Sequence, residues 1–529
     1  NGEYMTYTRV IIFVFLQIIS ALAWTSVAQT KNMSADTTRL KHHVMTMSHD
    51  SMRGRRSGYE GEQKAASYIE NQFQNIGLSP FIGTSYLQPF LLPRGRINAA
   101  SYVIINEDTL RYLTDFLTYE VPDKRTDIES DMVFLGYGID GPGKSYDAYG
   151  GNDIHGKIVV ALQPSLIDRA RLGEPLNYDH MQLASWARTY GARGLILLEN
   201  NPGSNKKRFN SASYSEVYRP FSDNFFWISI QNGYAFIQRY FNITQERIEP
   251  VMRLTAPVRI NTRIDGYWLK SANVIGKLEG TDLANEYIVV TAHYDHIGIG
   301  KKINGDSICN GMLDNASGVA TMLEAARMLY SSQTKPRRSV LFVATGAEEM
   351  GFIGSQYFAD HLPIPQSQIV ANINLDITGY YYKSEEPYVT LLGAEYNDMG
   401  DFIEDAADES GVRVGSNTIP SFFYRSDAVV FARAGIPSIH IACGLPISEM
   451  KSGMEYFMNY YHQTTDELYK APVSFKIMAG QTETVARSII KIADHDKRPI
   501  MTSELDSEKW MGWREAWGGF RMWVGGFFE

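Results

Sequence analysis

The sequence predicts an α/β fold in which helices cover both faces of a mostly parallel central sheet, as in an α/β/α sandwich. First, short apolar segments alternate with helical patterns from about residue 272 to 497, which is typical of parallel sheets. Second, residues 98–255 contain apolar runs such as MVFLGYGI and KIVVAL between turn residues, which indicates a separate strand-rich domain. Third, one segment between two predicted strands has a clear helical apolar period, formed by Val319, Met322, Leu323, Ala326 and Leu329.

The individual elements follow from the same patterns. Residues 59–76 place Ala65, Ile69 and Phe73 at helical spacing and stop before Gly77, so they predict a covering helix. One helix is predicted inside the strand-rich region, at about 181–190. The alternating region predicts strand 287–293, helix 316–330, strand 339–345, helix 354–361, strand 369–376 and strand 438–443.

Composition excludes several classes of protein. The 529 residues carry a net charge of −9 and no run of Lys and Arg long enough to follow a phosphate backbone, so no nucleic-acid partner is expected. The only two cysteines, Cys309 and Cys443, exclude a disulfide scaffold and a cysteine-based metal site. Two buried thiols and a single bridge both remain open.

The first 28 residues have the pattern of a secretory signal. Arg9 precedes the apolar stretch 10–23, and Ser26-Val27-Ala28 offers small residues for cleavage. The stretch is shorter than the roughly 20 residues of a membrane span. We therefore expect a secreted or periplasmic protein with no stable membrane span after cleavage. The tail at 503–529 is rich in Trp, Gly and Phe and has no predicted role.

Acidic and imidazole side chains follow the predicted strands. The carboxyl ends of parallel strands share one edge of a sheet, so these side chains are expected to converge there. Without a cation such a cluster is self-repulsive and costly to bury. Imidazole and carboxylate ligands without thiolate suit zinc and related divalent metals in a hydrolytic site. The residues concerned are His293, Asp295, Asp314, Glu348, Glu349, Asp376 and His462.

The motifs around these residues resemble those of a known family. In order, the chain reads HYD at 293–295, GMLDNASG at 311–318, EEMGFIGS at 348–355, LD at 375–376 and YH at 461–462. This series resembles the two-zinc aminopeptidases related to aminopeptidase Y and glutamate carboxypeptidase. The resemblance includes residues 52–80 near the amino end. Residues 98–255 resemble the protease-associated domain that many members carry as an insertion.

The resemblance implies a role for each site residue. Asp314 would bridge two zinc ions, with His293 and Asp376 completing one ligand set. Glu349 and His462 would complete the other set. Glu348 would be the general base, and Asp295 would orient His293. His296, His361 and His440 are expected to make structural hydrogen bonds only, because the ligand set is complete without them.

The resemblance also implies an activity and a domain division. Peptide substrates and a zinc-dependent exopeptidase, most simply an aminopeptidase, are expected. A carboxypeptidase or dipeptidase of the same fold and a non-catalytic metal-containing binding protein remain alternatives. The expected division is signal peptide 1–28, catalytic domain 29–97 and 256–502, protease-associated insertion 98–255 and tail 503–529.

Overall fold

The structure is a computed structural model of the chain. It describes residues 33–120, 125–141, 147–151, 153–163, 180–199, 216–217, 225–249, 252–303, 305–333, 335–381, 383, 386–415, 420–446 and 450–505. The expected signal peptide and most of the aromatic tail lie outside these ranges. The chain forms two compact units. Among the described residues, unit 1 comprises those up to Phe90 and those from 270 to 505, and unit 2 comprises those within Leu91–Leu269.

The helices agree with the sequence prediction to within about two residues wherever one was made. The described α-helices are α1 (Thr37–Met47), α2 (Glu60–Ile76), α3 (His180–Thr189), α4 (Gly233–Phe241), α5 (Gly318–Tyr330), α6 (Ile353–Asp360), α7 (Gly400–Glu409), α8 (Ala428–Arg433), α9 (Met450–Asn459) and α10 (Phe475–Asp494).

The strands include all four that were predicted for the alternating region. They are β1 (Ser79–Pro80), β2 (Leu87–Ile97), β3 (Tyr102–Ile105), β4 (Asp108–Arg111), β5 (Phe116–Glu120), β6 (Arg125–Phe134), β7 (Ile158–Leu162), β8 (Gly194–Glu199), β9 (Glu216–Val217), β10 (Phe226–Gln231), β11 (Leu254–Leu278), β12 (Leu283–His293), β13 (Gly298–Ile303), β14 (Asp306–Cys309), β15 (Arg338–Thr345), β16 (Ile369–Leu375), β17 (Tyr388–Leu392), β18 (Arg413–Val414) and β19 (Ser438–Cys443).

The sheet of unit 1 has a parallel centre. Its order is β1-β11-β15-β12-β16-β19-β17-β18, and the four central strands β15, β12, β16 and β19 pair in parallel. β15 and β16 are buried at every residue, as expected for strands covered on both faces. The prediction of an α/β fold with a mostly parallel sheet is therefore confirmed.

The helices of unit 1 form two layers on this sheet. Ile288, Val290 and Ala292 of β12 belong to one apolar core with residues of α2, α5, α7 and α10. The α6 and α8 helices pack together through Phe358 and Phe431, whose ring centroids are 6.0 Å apart, and α8 also contacts β16 and β19. The buried strands thus have an apolar layer on each side.

Unit 2 is strand-rich and has its own core. Its strands follow the order β4-β3-β11-β6-β7-β8-β10-β5, with β6, β7, β8 and β10 parallel. The units divide at Phe90/Leu91 and Leu269/Lys270, whereas the sequence placed the divisions after residues 97 and 255. β2 and β11 run without interruption through these boundaries, so no change of composition marks them. The assignment of this unit as a protease-associated domain stays a prediction.

Two further findings concern membrane spans and cysteines. Across the described ranges, no helix combines the length and apolarity needed to cross a membrane. Cys309 and Cys443 are both free thiols.

Candidate metal centre

Three neighbouring parallel strands bring polar side chains to one edge of the unit 1 sheet. β12 ends at His293, and Asp376 directly follows β16. β15 leads through a short turn into Glu348 and Glu349. The strand pairing therefore gathers four of the predicted site residues, as expected for the carboxyl edge of a parallel sheet.

Two connections supply the remaining ligand candidates. Asp314 lies in a π-helical turn, Met312–Ser317, that leads into α5. Gly311 before it has a φ of 57°, and a Cβ there would lie 2.3 Å from the carbonyl oxygen of Asp314, so only glycine fits this tight entry. His462 follows α9 and has a left-handed φ of 60°, which is uncommon for a residue other than glycine.

The first ligand group consists of His293, Asp314 and Asp376, which lie close enough together to hold one ion. The Nε2 atom of His293 is 3.3 Å from Oδ1 of Asp314 and 3.5 Å from Oδ1 of Asp376. All three residues are buried. Oδ1 of Asp376 makes no hydrogen bond with any part of the chain that the structure describes.

The second ligand group uses the other oxygen of Asp314. Nε2 of His462 is 3.2 Å from Oδ2 of Asp314 and 3.1 Å from Oε1 of Glu349. His296 belongs to the same group of possible ligands. Its Nδ1 atom is 3.0 Å from Oε1 of Glu349 and 3.9 Å from Oδ2 of Asp314. The two carboxylate oxygens of Asp314 thus face separate sets of possible metal ligands.

The spacing of these donors fits divalent metal ions. Zinc binds nitrogen and oxygen ligands at about 2.1 Å, so two ligands of a tetrahedral ion lie about 3.4 Å apart. The two separations around His293 and the two around His462 lie between 3.1 and 3.5 Å. The buried oxygen of Asp376 that has no hydrogen bond likewise fits the role of a metal ligand.

The buried carboxylates and imidazoles of the site change one another's pKa values. Burial raises the pKa of Asp376 to about 6. Burial acts in the same direction on Asp314, but hydrogen bonds with His293 and His462 hold its pKa well below the usual value. Burial alone would lower the pKa of His462, whereas Glu349 and Asp314 raise it to about 9. In the absence of metal these charges favour the protonated form of His462, and metal binding must displace that proton.

Asp295 holds the turn that carries the two glutamates. Its Oδ1 accepts a hydrogen bond from the Glu348 amide at 3.0 Å, and its Oδ2 accepts one from the Glu349 amide at 3.4 Å. Oδ2 also accepts a 2.6 Å hydrogen bond from the hydroxyl of Ser57. Nδ1 of His293 is nearer to the main-chain oxygen of Asp295, at 3.2 Å, than to its carboxylate, at 3.8 Å.

Glu348 is buried beside the ligands but belongs to neither ligand group of the described residues. Burial raises its pKa well above the usual value for a glutamate, and the negative charges of Glu349, Asp427 and Asp376 act in the same direction. A buried carboxylate beside both ligand groups, and part of neither, is placed as a general acid–base group requires.

Three residues near the site were not among the predicted site residues. His296 was expected to make structural hydrogen bonds, and it bonds directly to a ligand candidate. Asp466 is buried and accepts hydrogen bonds from the Leu313 and Asp314 amides at 3.0 and 3.1 Å. Arg55 is fully buried nearby. The HYDH sequence and the four-residue step from His462 to Asp466 were available signals, whereas Arg55 has no local signal of its role.

Comparison with known proteins gives one family match. The sequence model of Peptidase family M28 matches residues 273–483, a range that contains all seven predicted site residues. Residues 273–483 are therefore similar to peptidases of family M28. The strand ends, the Asp314 turn and the His462 connection described above all lie within this matched range.

Proteins similar to parts of this chain include named aminopeptidases. Aminopeptidase YwaD of Bacillus subtilis (strain 168) is 31% identical over 234 residues, which are 43% of this chain and 46% of that protein. Aminopeptidase NAALADL1 of Mus musculus is 36% identical over 113 residues, which are 20% of this chain and 14% of that protein. The chain thus matches less than half the length of either relative.

One solved structure supports the fold over most of the chain. The aminopeptidase from Aneurinibacillus sp. strain AM-1 aligns with 90% of this chain and 98% of its own, at a TM-score of 0.52 and 20% identity. This similarity supports the arrangement of strands and helices beyond the range that matches family M28.

Proposed function

We propose that the protein is a zinc-dependent aminopeptidase whose site holds two zinc ions. The observation that carries the proposal is the position of Asp314, whose two carboxylate oxygens face two separate groups of imidazole and carboxylate donors. The chemistry of these donors suits zinc. The names of the relatives favour cleavage at the amino end of a peptide.

In this proposal the ligand set of each ion is defined by the chain. His293, Asp376 and Oδ1 of Asp314 would hold one ion. Glu349, His462 and Oδ2 of Asp314 would hold the other, with His296 hydrogen-bonded to Glu349. When bound, the metals would polarise the scissile carbonyl and lower the pKa of water from 15.7 toward 7.

Glu348 moves the proton in the proposed reaction. Its carboxylate accepts the proton of the attacking water and passes that proton to the nitrogen of the leaving amine. Asp295 positions Glu348 through the hydrogen bond from the Glu348 amide. The burial of Glu348 keeps bulk water from competing for the proton.

Two further parts of the proposal rest on sequence patterns. Residues 98–255 are proposed to be a protease-associated domain. Export to the periplasm or the exterior is proposed from the signal-like pattern of residues 1–28 alone.

The test is hydrolysis of a panel of short peptides, free or blocked at either end, with the products identified by mass spectrometry. We expect release of amino-terminal residues that stops when the amino group is blocked or the metal is removed, and that returns with zinc. Release from the carboxyl end would replace the proposal with a carboxypeptidase or dipeptidase. Absence of cleavage by a chain that binds two zinc ions would favour a non-catalytic metal-containing binding protein.

A further inference from the structure

Arg55 has an unusual environment for an arginine. Its side chain is fully buried, and its guanidinium donates hydrogen bonds to four main-chain carbonyl groups. Nε binds the oxygen of Tyr294 at 2.8 Å, Nη1 binds those of Met47 and Asn310 at 2.7 and 2.6 Å, and Nη2 binds that of Gly311 at 2.8 Å. Four hydrogen bonds occupy most of the five N–H groups that an arginine offers.

Three of these carbonyls belong to the two segments that carry ligand candidates. Tyr294 directly follows His293 at the end of β12. Asn310 and Gly311 lead into the turn that contains Asp314. The guanidinium of Arg55 therefore connects two stretches of main chain. One directly follows His293, and the other leads into the turn of Asp314.

Arg55 and its neighbours Gly54 and Ser57 make further contacts with the segments that carry the ligand candidates. The carbonyl of Arg55 accepts a 3.2 Å hydrogen bond from the His296 amide, and Ser57 binds the Asp295 carboxylate. A Cβ on Gly54 would lie 2.4 Å from the carbonyl oxygen of Cys309 and 2.5 Å from that of Gly298. The segment therefore packs directly against the main chain on both sides of the β13–β14 hairpin.

The charge of Arg55 is not neutralised by direct contact. It forms no salt bridge with the residues that the structure describes, and all its hydrogen bonds go to neutral carbonyls. Burial lowers its pKa to about 10, while the negative charges of Asp314, Asp466, Asp295 and Glu349 oppose that change. The guanidinium therefore stays protonated at neutral pH and compensates part of the negative charge of the cluster.

We propose that Arg55 is a positioning residue of the metal centre, which fixes the spacing between His293 and Asp314 before any metal binds. This inference rests on the proposed metal site. Arg55 contacts neither ligand side chain directly and acts through the main chain. The planar fork is essential, because a lysine carries the same charge as a compact ammonium with only three donors and cannot reach four carbonyls in one plane.

The test compares Arg55→Lys with Arg338→Lys in the full chain. Arg338 is a matched control because it is also buried and also binds main-chain carbonyls, those of Ile492, Ala493 and His495. It starts β15 at the end opposite the turn to Glu348. Both variants are expected to lower the melting temperature, so that loss of stability alone does not distinguish them.

Zinc affinity, measured by competition with a chromophoric chelator, is the deciding measurement. We expect Arg55→Lys to weaken zinc binding about 10- to 100-fold, the range typical of groups that orient metal ligands. Arg338→Lys should retain the affinity of the unmodified chain. Equal zinc affinity in all three proteins would overturn the inference while leaving the metal site itself intact. Failure of the unmodified chain to bind zinc would overturn the proposed function and this inference together.

A second measurement uses the unmodified chain and does not depend on the folding of a variant. Hydrogen–deuterium exchange of the metal-free protein should show protection of the His296 amide, which donates to Arg55, and of the Leu313 and Asp314 amides, which donate to Asp466. Addition of zinc should change this protection little. Rapid exchange of these amides until zinc is added would show that the metal, and not Arg55, sets the spacing.

Discussion

Asp295→Asn separates the two roles that Asp295 could have. The carboxylate accepts hydrogen bonds from two main-chain amides and one hydroxyl, while its main-chain oxygen lies nearest to His293. The substitution alters only the carboxylate. We therefore expect it to disturb the turn of Glu348 and Glu349 and to leave the contact with His293 in place.

The expected cost follows from these three hydrogen bonds. If the new amide oxygen takes the place of Oδ1, the new NH₂ group faces the Glu349 amide and the Ser57 hydroxyl. The Glu349 amide is then a buried donor without an acceptor, which costs about 1–3 kcal/mol. The hydrogen bond from the Glu348 amide loses its charged acceptor, and the Ser57 hydroxyl can only accept from the NH₂ group, which removes about 1 kcal/mol each. The free energy of unfolding should fall by about 3–5 kcal/mol.

The assay is urea unfolding of the metal-free variant at pH 7, with zinc content and kcat measured separately. We expect the bound zinc to remain two ions per chain while kcat falls about 10-fold or more. Ser57→Ala is the control, because it removes one hydrogen bond to the carboxylate, costs about 1.5–3 kcal/mol and leaves both main-chain amides bound. A stability loss below about 1 kcal/mol in Asp295→Asn, or loss of zinc without loss of kcat, would refute the reasoning.

Three further predictions concern the proton, the shared ligand and pH. Glu348→Gln should lower kcat about 10²- to 10⁴-fold with unchanged zinc content by metal analysis; comparable activity would remove Glu348 from the role of base. Asp314→Asn should reduce bound zinc from two ions to one or none, because an amide offers one oxygen, and retention of two would contradict bridging. Glu324 is buried, but Arg327 and Arg39 lower its pKa from 4.5 to about 2. The ion pairs of Glu324 should stabilise the folded chain by about 1–3 kcal/mol, a range reduced because both arginines are partly exposed. This stabilisation should be complete above pH 4.5 and lost as pH falls through 2. The difference in urea stability between the metal-free chain and its Glu324→Gln variant should therefore shrink in acid, and a constant difference down to pH 2 would contradict this.

The parallel sheet and the ligand candidates at its edge were predictable because their signals are local in sequence. An apolar run followed by an acid or imidazole, as at His293 and Asp376, indicates both a buried strand and a polar edge. The helical period beginning after Asp314 placed that residue at the start of a helix. The family motifs then distinguished Glu348 from its neighbour Glu349, which periodicity does not do.

The supporting residues could not be predicted, because their partners are main-chain atoms far away in sequence. Arg55 binds carbonyl groups, which every residue possesses, so no pattern of side-chain types marks its partners. Asp466 likewise binds two amides. The family resemblance implies that Asp295 orients His293, whereas its carboxylate receives its hydrogen bonds from residues more than 50 positions away in either direction.

The contacts of Arg55 also have a consequence for the order of events during synthesis. Arg55 and Gly311 are 256 residues apart, and the whole of unit 2 lies between them. At about 5–20 residues per second a ribosome needs roughly 10–50 s to cover that distance. The described part of unit 2 lies within one continuous stretch, Leu91–Leu269, and can complete its sheet first. For most of this interval only the Met47 carbonyl of the four acceptors of Arg55 has been synthesised. The amino-terminal segment of unit 1 therefore cannot complete its packing until unit 2 has been made.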